Sequence, residues 1–197
     1  MVCFRKYISE GMNEERSTDM DEDRFIWEVR KKCKPTLRVM NKTGYFFDRI
    51  EMSTFGQYFK KETRRFRKPL DTIDEYHEAM DGWFLKKFGW RARSENVLFV
   101  YGRKIKNDYY VFPIGKFKFV WSSKVRDATG QFQLDDSGGN PDIDYLIKNI
   151  EGSNYSDKNI IAAIKSGNEI MIQCKEYYGM LWTYDKEDII EELLKGV

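Results

Sequence analysis

Two hydrophobic periods alternate along the chain, and their order sets its class. Residues 24–33 place Phe25, Ile26, Val29 and Cys33 on one side of a helix. Pro35 is expected to end that helix, because the residue before a proline is pushed out of helical geometry. Thr36–Met40 then reads as a short strand, with a turn at 41–44. A longer amphipathic helix over 73–88 lines up Tyr76, Met80, Trp83, Phe84, Lys87 and Phe88, with Asp71 or Thr72 as its cap and Gly89 as its stop. From Asn96 the period becomes two. Residues 96–101, 109–113 and 116–121 are predicted strands; in the last, Phe117, Phe119 and Trp121 alternate with Lys116, Lys118 and Val120, as in a half-buried antiparallel strand. Residues 127–139 read as a loop.

The C-terminal third returns to helices. Asn140 is expected to cap one, with Pro141 at its first position and Gly152 past its end. A shorter helix over 156–165, capped by Ser156 or Asp157, stops at Gly167, and the strand 169–174 follows at once. Trp182 closes a further strand, and Asp185 caps a last helix through Leu194. Helices early and late with strands between them make an α+β order, not a repeating βαβ one. Residues 1–23 are polar and acidic and read as a mobile leader; residues 24–197 read as one domain, the natural expectation for 197 residues.

Composition removes several classes. With 41% hydrophobic and 16% aromatic residues the chain can fill a core. No apolar run reaches membrane-spanning length and the N-terminus has no secretory pattern, so a cytoplasmic location is expected. Cys3, Cys33 and Cys174 are odd in number and far apart, which argues for reduced thiols and against a zinc site; no metal is expected. The single histidine, His77, fits a helix-surface or core residue. The net charge of +2 conceals a pattern: 25–134 hold 24 basic and 12 acidic residues, whereas both ends are acidic. A basic middle suits an anionic ligand, and equally a solvated surface. Its densest run, 60–68, offers Lys60, Lys61, Arg64, Arg65, Arg67 and Lys68 with Phe59 and Phe66 as a nucleic-acid or partner-binding surface.

P-loop, GxGxxG, GxSxG and HExxH motifs are absent, so the case for chemistry rests on a looser constellation. A short helix ends at Gly167 and Glu169 opens an apolar strand, where a carboxylate can point into a cleft; a solvated strand end is the plainer reading. Upstream lie Phe4–Gly11, the segment around Arg38, Arg67–Thr72, Phe88–Ser94, Val97–Gly102 and the block Tyr110–Ser122. In these motifs, over residues 35–180, the chain resembles the phage-encoded members of the ADP-ribosyltransferase fold. The resemblance implies a split antiparallel β-sheet core flanked by helices, NAD as co-substrate, and a host protein or nucleic acid as acceptor, in the cytoplasm of an infected bacterium.

By that resemblance Glu169 and Ser94 would be catalytic, and Arg38, Tyr101 and Gly102 would bind the cofactor. Ser94 also fits a turn cap, and Arg38 a surface position. Val39 stands where the family usually has a glycine, Tyr101 where it has Thr or Ser, and Gly167 where protein-modifying members have Gln or Glu. These departures hold open a second reading, an inactive relative that binds and neutralises a host defence or toxin enzyme. A third is a nucleic-acid-binding module built on the basic run.

Overall fold

The computed structural model describes residues 17–49, 56–68, 72–103, 109–132, 142–183 and 186–197. In chain order these form β1 (Ser17–Asp19), α1 (Glu22–Lys32), α2 (Lys34–Thr43), β2 (Phe46–Arg49), β3 (Tyr58–Glu62), α3 (Asp74–Phe88), β4 (Val97–Arg103), β5 (Tyr109–Pro113), β6 (Lys118–Ser122), α4 (Ala128–Phe132), α5 (Ile143–Gly152), β7 (Tyr155–Ser156), α6 (Ile160–Ser166), β8 (Ile170–Gln173), β9 (Glu176–Leu181) and α7 (Glu187–Leu194). The described residues thus give a mixed α+β protein in which every strand pair is antiparallel, in the order β1-β3-β9-β5-β2-β4-β8-β6-β7.

The helix starts and stops obey simple chemistry. Asp21 caps α1 by accepting from Arg24 N at 2.8 Å; Glu22 and Asp23 open that helix and Arg30, Lys31 and Lys32 close it, as the helix dipole favours. Pro35 does not lead into a strand. It occupies the first turn of a second helix, where its missing N–H costs nothing, and Thr36, Leu37 and Met40 form that helix's buried stripe. The expected strand at Thr36–Met40 is therefore α2, and Arg38 lies on its exposed side. Gly44, Gly89 and Gly167 end α2, α3 and α6 in the left-handed conformation that glycine adopts without strain.

Other caps differ from expectation. Ile73, not Thr72, precedes α3; Asp142 caps α5 by accepting from Tyr145 N; Asn159 caps α6; and Lys186 precedes α7. Asp71, Asn140, Pro141 and Asp185 lie outside the described residues, as do Cys3 and residues 1–16 of the expected leader. Within that leader, Ser17–Asp19 pair with Phe59–Lys61 as an edge strand. Part of the expected loop at 127–139 is the short helix α4.

One strand joins the two halves of the sheet. Val97–Val100 of β4 pair with β8, whereas Tyr101–Arg103 pair with β2. The larger half carries an aromatic core: Phe25 packs on Tyr58, Phe112 and Tyr178, and Trp182, Tyr110 and Phe46 stack in series. In the smaller half Leu98, Val100, Ile170 and Ile172 face this main core. Val97, Val120 and Met171 face a second core with Met80, Phe84, Leu146 and Ile150 of α3 and α5. At Gly102 the end of α6 presses on the sheet so closely that a Cβ would stand 1.5 Å from the Ile164 carbonyl oxygen. Only glycine fits there. Among the described residues no helix is long and apolar enough to cross a membrane.

Candidate functional site

Pairing between β4 and β8 stops at the Val100–Ile170 pair, and Glu169 stands at this break, one residue before β8; the break in pairing is termed the notch. The β6–α4 connection wraps around it. Arg126 O accepts from Glu169 N at 2.9 Å, the Ala128 amide donates to the Glu169 carboxylate, and Asn168 Nδ2 donates to Ser122 O. Glu169 is 8% exposed. Burial pushes its carboxyl up to about 7, against the pull of the Arg93 and Arg67 cations and with the Asp127 charge raising it further.

Tyr101 and Asp127 form one wall. Tyr101 Oη donates to Asp127 Oδ2 at 2.9 Å, and Asp127 Oδ1 accepts from the Gly130 amide. Burial holds the Tyr101 phenol well above its ordinary value, with the Glu169 and Asp127 charges adding to the effect.

Two guanidiniums approach from the α3 side. Arg67 Cζ lies 4.8 Å and Arg93 Cζ 5.7 Å from the Phe99 ring centroid. Arg93 is 2% exposed, and its only side-chain hydrogen bond among the described residues is a long one, Nη2 to Thr129 Oγ1 at 3.5 Å. Its Nε and Nη1 are buried without a partner among the described residues, and so is the hydroxyl of Tyr155. Burial raises the Tyr155 phenol, helped by the Glu169 charge. Buried donors almost always find an acceptor. Three of the buried donor atoms without a partner among the described residues thus belong to Arg93 and Tyr155, whose groups Glu169 senses electrostatically.

The arginine turn is fixed from behind. Asp81 of α3, 1% exposed, accepts from Arg93 N at 2.8 Å and from Ser94 Oγ, and stands 3.5 Å from His77 Nε2. Burial holds the His77 imidazole below its usual range, while Asp81 raises it.

The structure thus brings Glu169 and Tyr101 together. Gly102 lies beside them as the seat of α6. Ser94 is bound to Asp81 at the far end of β4, beyond Val97, which pairs with Gln173. Arg38 lies on α2, apart from this cluster. The cations that do gather here are Arg67, counted beforehand in the basic run, and Arg93, which nothing in the sequence distinguished from its neighbours. Asp127, Ala128 and Tyr155 arrive from other segments of the chain, and the β6–β8 and β6–β7 pairings make them neighbours.

The basic run is divided by the fold. Lys61 and Phe59 are buried, Lys60 pairs with Glu176, Arg67 turns to Phe99, and Lys68 meets Asp74 at 2.7 Å. Arg64, Arg65 and Phe66 face solvent. Cys33 and Cys174 are buried free thiols, the latter pushed up to about 12 by burial. Among the described residues no group of His, Cys, Asp and Glu could hold a metal ion. No family model matches the chain, and no curated relative or solved structure resembles it significantly.

Proposed function

We propose that the Glu169 notch is a donor site for ADP-ribosyl transfer, and that the chain is an ADP-ribosyltransferase-like protein of phage type acting on a host macromolecule. The observation that carries this reading is a buried carboxylate within electrostatic reach of the orphan donors of Arg93 and Tyr155, at the point where β4 changes partners. The donor set suits NAD. Arg93, with Arg67 beside it, matches a pyrophosphate, and a carboxylate matches a ribose.

When bound, NAD supplies the ADP-ribosyl group: the bond from the ribose carbon to nicotinamide breaks with its electron pair, and the acceptor nucleophile bonds to that carbon and loses a proton. Glu169 opposes the positive charge that builds on the ribose carbon, as a carboxylate does in glycoside hydrolysis. Arg93 and Arg67 hold the anionic portion, in the place first expected of Arg38. Tyr101 and Asp127 bound the notch. Ser94 acts at a distance, through Asp81, on the turn that carries Arg93.

Glu169 must be ionised for this work. Its value of about 7 makes transfer rise as pH increases through neutrality. Incubation with labelled NAD and host lysate tests the reading: label transfers with the wild-type chain, and Glu169→Gln lowers transfer by about 100-fold or more. The absence of transfer, or equal transfer by Glu169→Gln, overturns it. The inactive-relative reading is favoured by one observation, the bulky Tyr101 ring fixed beside Glu169 by its bond to Asp127. On that reading a host protein binds the chain and Glu169→Gln leaves binding intact.

A further inference from the structure

Residues 63–68 join β3 to the second core, and their backbone is bound at several points. Thr63 N donates to Lys175 O, Arg67 N donates to Ser94 O, and Asn96 N donates to both Arg64 O and Arg65 O. On this fixed support Phe66 is 69% exposed, with Arg65 Cζ 5.4 Å from its ring centroid. A large aromatic ring held out in water by a well-bonded loop exposes apolar area that the fold gains nothing by exposing. Its flanking residues Arg64 and Arg65 are both exposed.

The same loop borders a groove of about 490 Å³ whose lining includes Asn96, Lys116, Gln173 and Lys175. Of the groove's two acids, Glu176 pairs with Lys60; Glu95 has a backbone amide as its partner, Oε2 accepting from Arg91 N. Lys116 and Lys175 are exposed and carry no ion pair among the described residues. Lys116 and Lys175 line the groove, and the exposed Arg64, Arg65 and Phe66 lie on the adjoining loop; cations beside an exposed aromatic ring suit a flexible polyanion with flat bases. A rigid duplex keeps its bases stacked inside and cannot use Phe66.

We infer that the 63–68 loop and its adjoining groove bind single-stranded nucleic acid, with Phe66 stacking on a base and Arg64, Arg65, Lys116 and Lys175 following the phosphates. The surface is defined independently of Glu169.

Fluorescence anisotropy with labelled single-stranded DNA, single-stranded RNA and duplex DNA tests the surface on the full chain. Single strands bind more tightly than duplex, and the DNA and RNA arms identify the natural source. Phe66→Ala weakens binding by about 10-fold while the melting temperature is unchanged. Arg64→Gln with Arg65→Gln flattens the slope of log affinity against log salt by roughly 1 to 1.5. Glu169→Gln binds like the wild type, so loss of transfer with retained binding rejects the chemistry alone, and transfer to protein without strand binding rejects this surface alone. No binding, a preference for duplex, or equal binding of polyglutamate with no effect of Phe66→Ala each overturns the inference; the last identifies an acidic protein face as the partner.

Discussion

Two buried carboxylates on neighbouring elements meet opposite fates. Asp81 is surrounded: a backbone amide, a serine hydroxyl and an imidazole all turn toward it. Glu169 receives one amide, while the nearby guanidinium of Arg93 and phenol of Tyr155 leave donor atoms unused. A satisfied buried acid is a fastening, and its partners keep a unique geometry. A buried acid with few donors turned toward it is a cost to the fold. The contrast separates Ser94, which belongs to the fastening, from Glu169, which belongs to the notch.

The largest effect is expected at the fastening. Asp81→Ala strands the Arg93 amide and the Ser94 hydroxyl and removes the carboxylate beside His77. Urea unfolding should show a loss of about 3 kcal/mol. A loss below about 1 kcal/mol would erase the distinction between the two acids.

Glu169 should behave in the opposite sense. Its value is raised from the ordinary 4.5 to about 7, so the native state binds more proton than the unfolded state between those limits. Stability therefore falls as pH rises through that window. Glu169→Gln should abolish this slope and make the protein more stable above pH 7, by up to about 3 kcal/mol. Unfolding curves across pH check this, and a variant less stable than wild type above pH 7 would show that the carboxylate is a structural necessity.

The smallest effect concerns His77, which faces Asp81, Asp74, Arg67 and Arg93. Its value is depressed, so the stability it lends is present above the unfolded value of about 6.5 and is lost as pH falls below it. His77→Gln should remove that acid-side slope, which is shallow because Asp81 opposes the burial effect. A thermal-melt series from neutral to mildly acid pH measures it.

Much of the frame was legible in the chain because local rules set it. The 3.6-residue stripe and Gly89 announced α3, the alternation of 96–121 announced three strands, and Gly167 announced the end of α6. The α1–α2 junction was not legible, because a proline marks a helix's first turn as readily as it marks a break, and Leu37 and Met40 are too few to reveal the period. Of the proposed site, the sequence marked Glu169, Tyr101 and, within the basic run, Arg67. Arg93, Asp127 and Tyr155 reach it through pairing across the sheet, and a lone sequence gives no sign of which arginine will be buried. Asp81 and His77 look like ordinary polar positions on α3 until the turn at 91–94 folds over them.

The central claim is that Arg93 and Glu169 form a donor site, and titration calorimetry with NAD tests it most directly. The account predicts saturable heat with wild-type protein and binding about 10-fold weaker or more with Arg93→Gln, the cost of losing a charge-assisted contact of about 1.5–3 kcal/mol. Arg38→Gln should bind like the wild type. No saturable binding, or binding lost with Arg38→Gln and kept with Arg93→Gln, would contradict it.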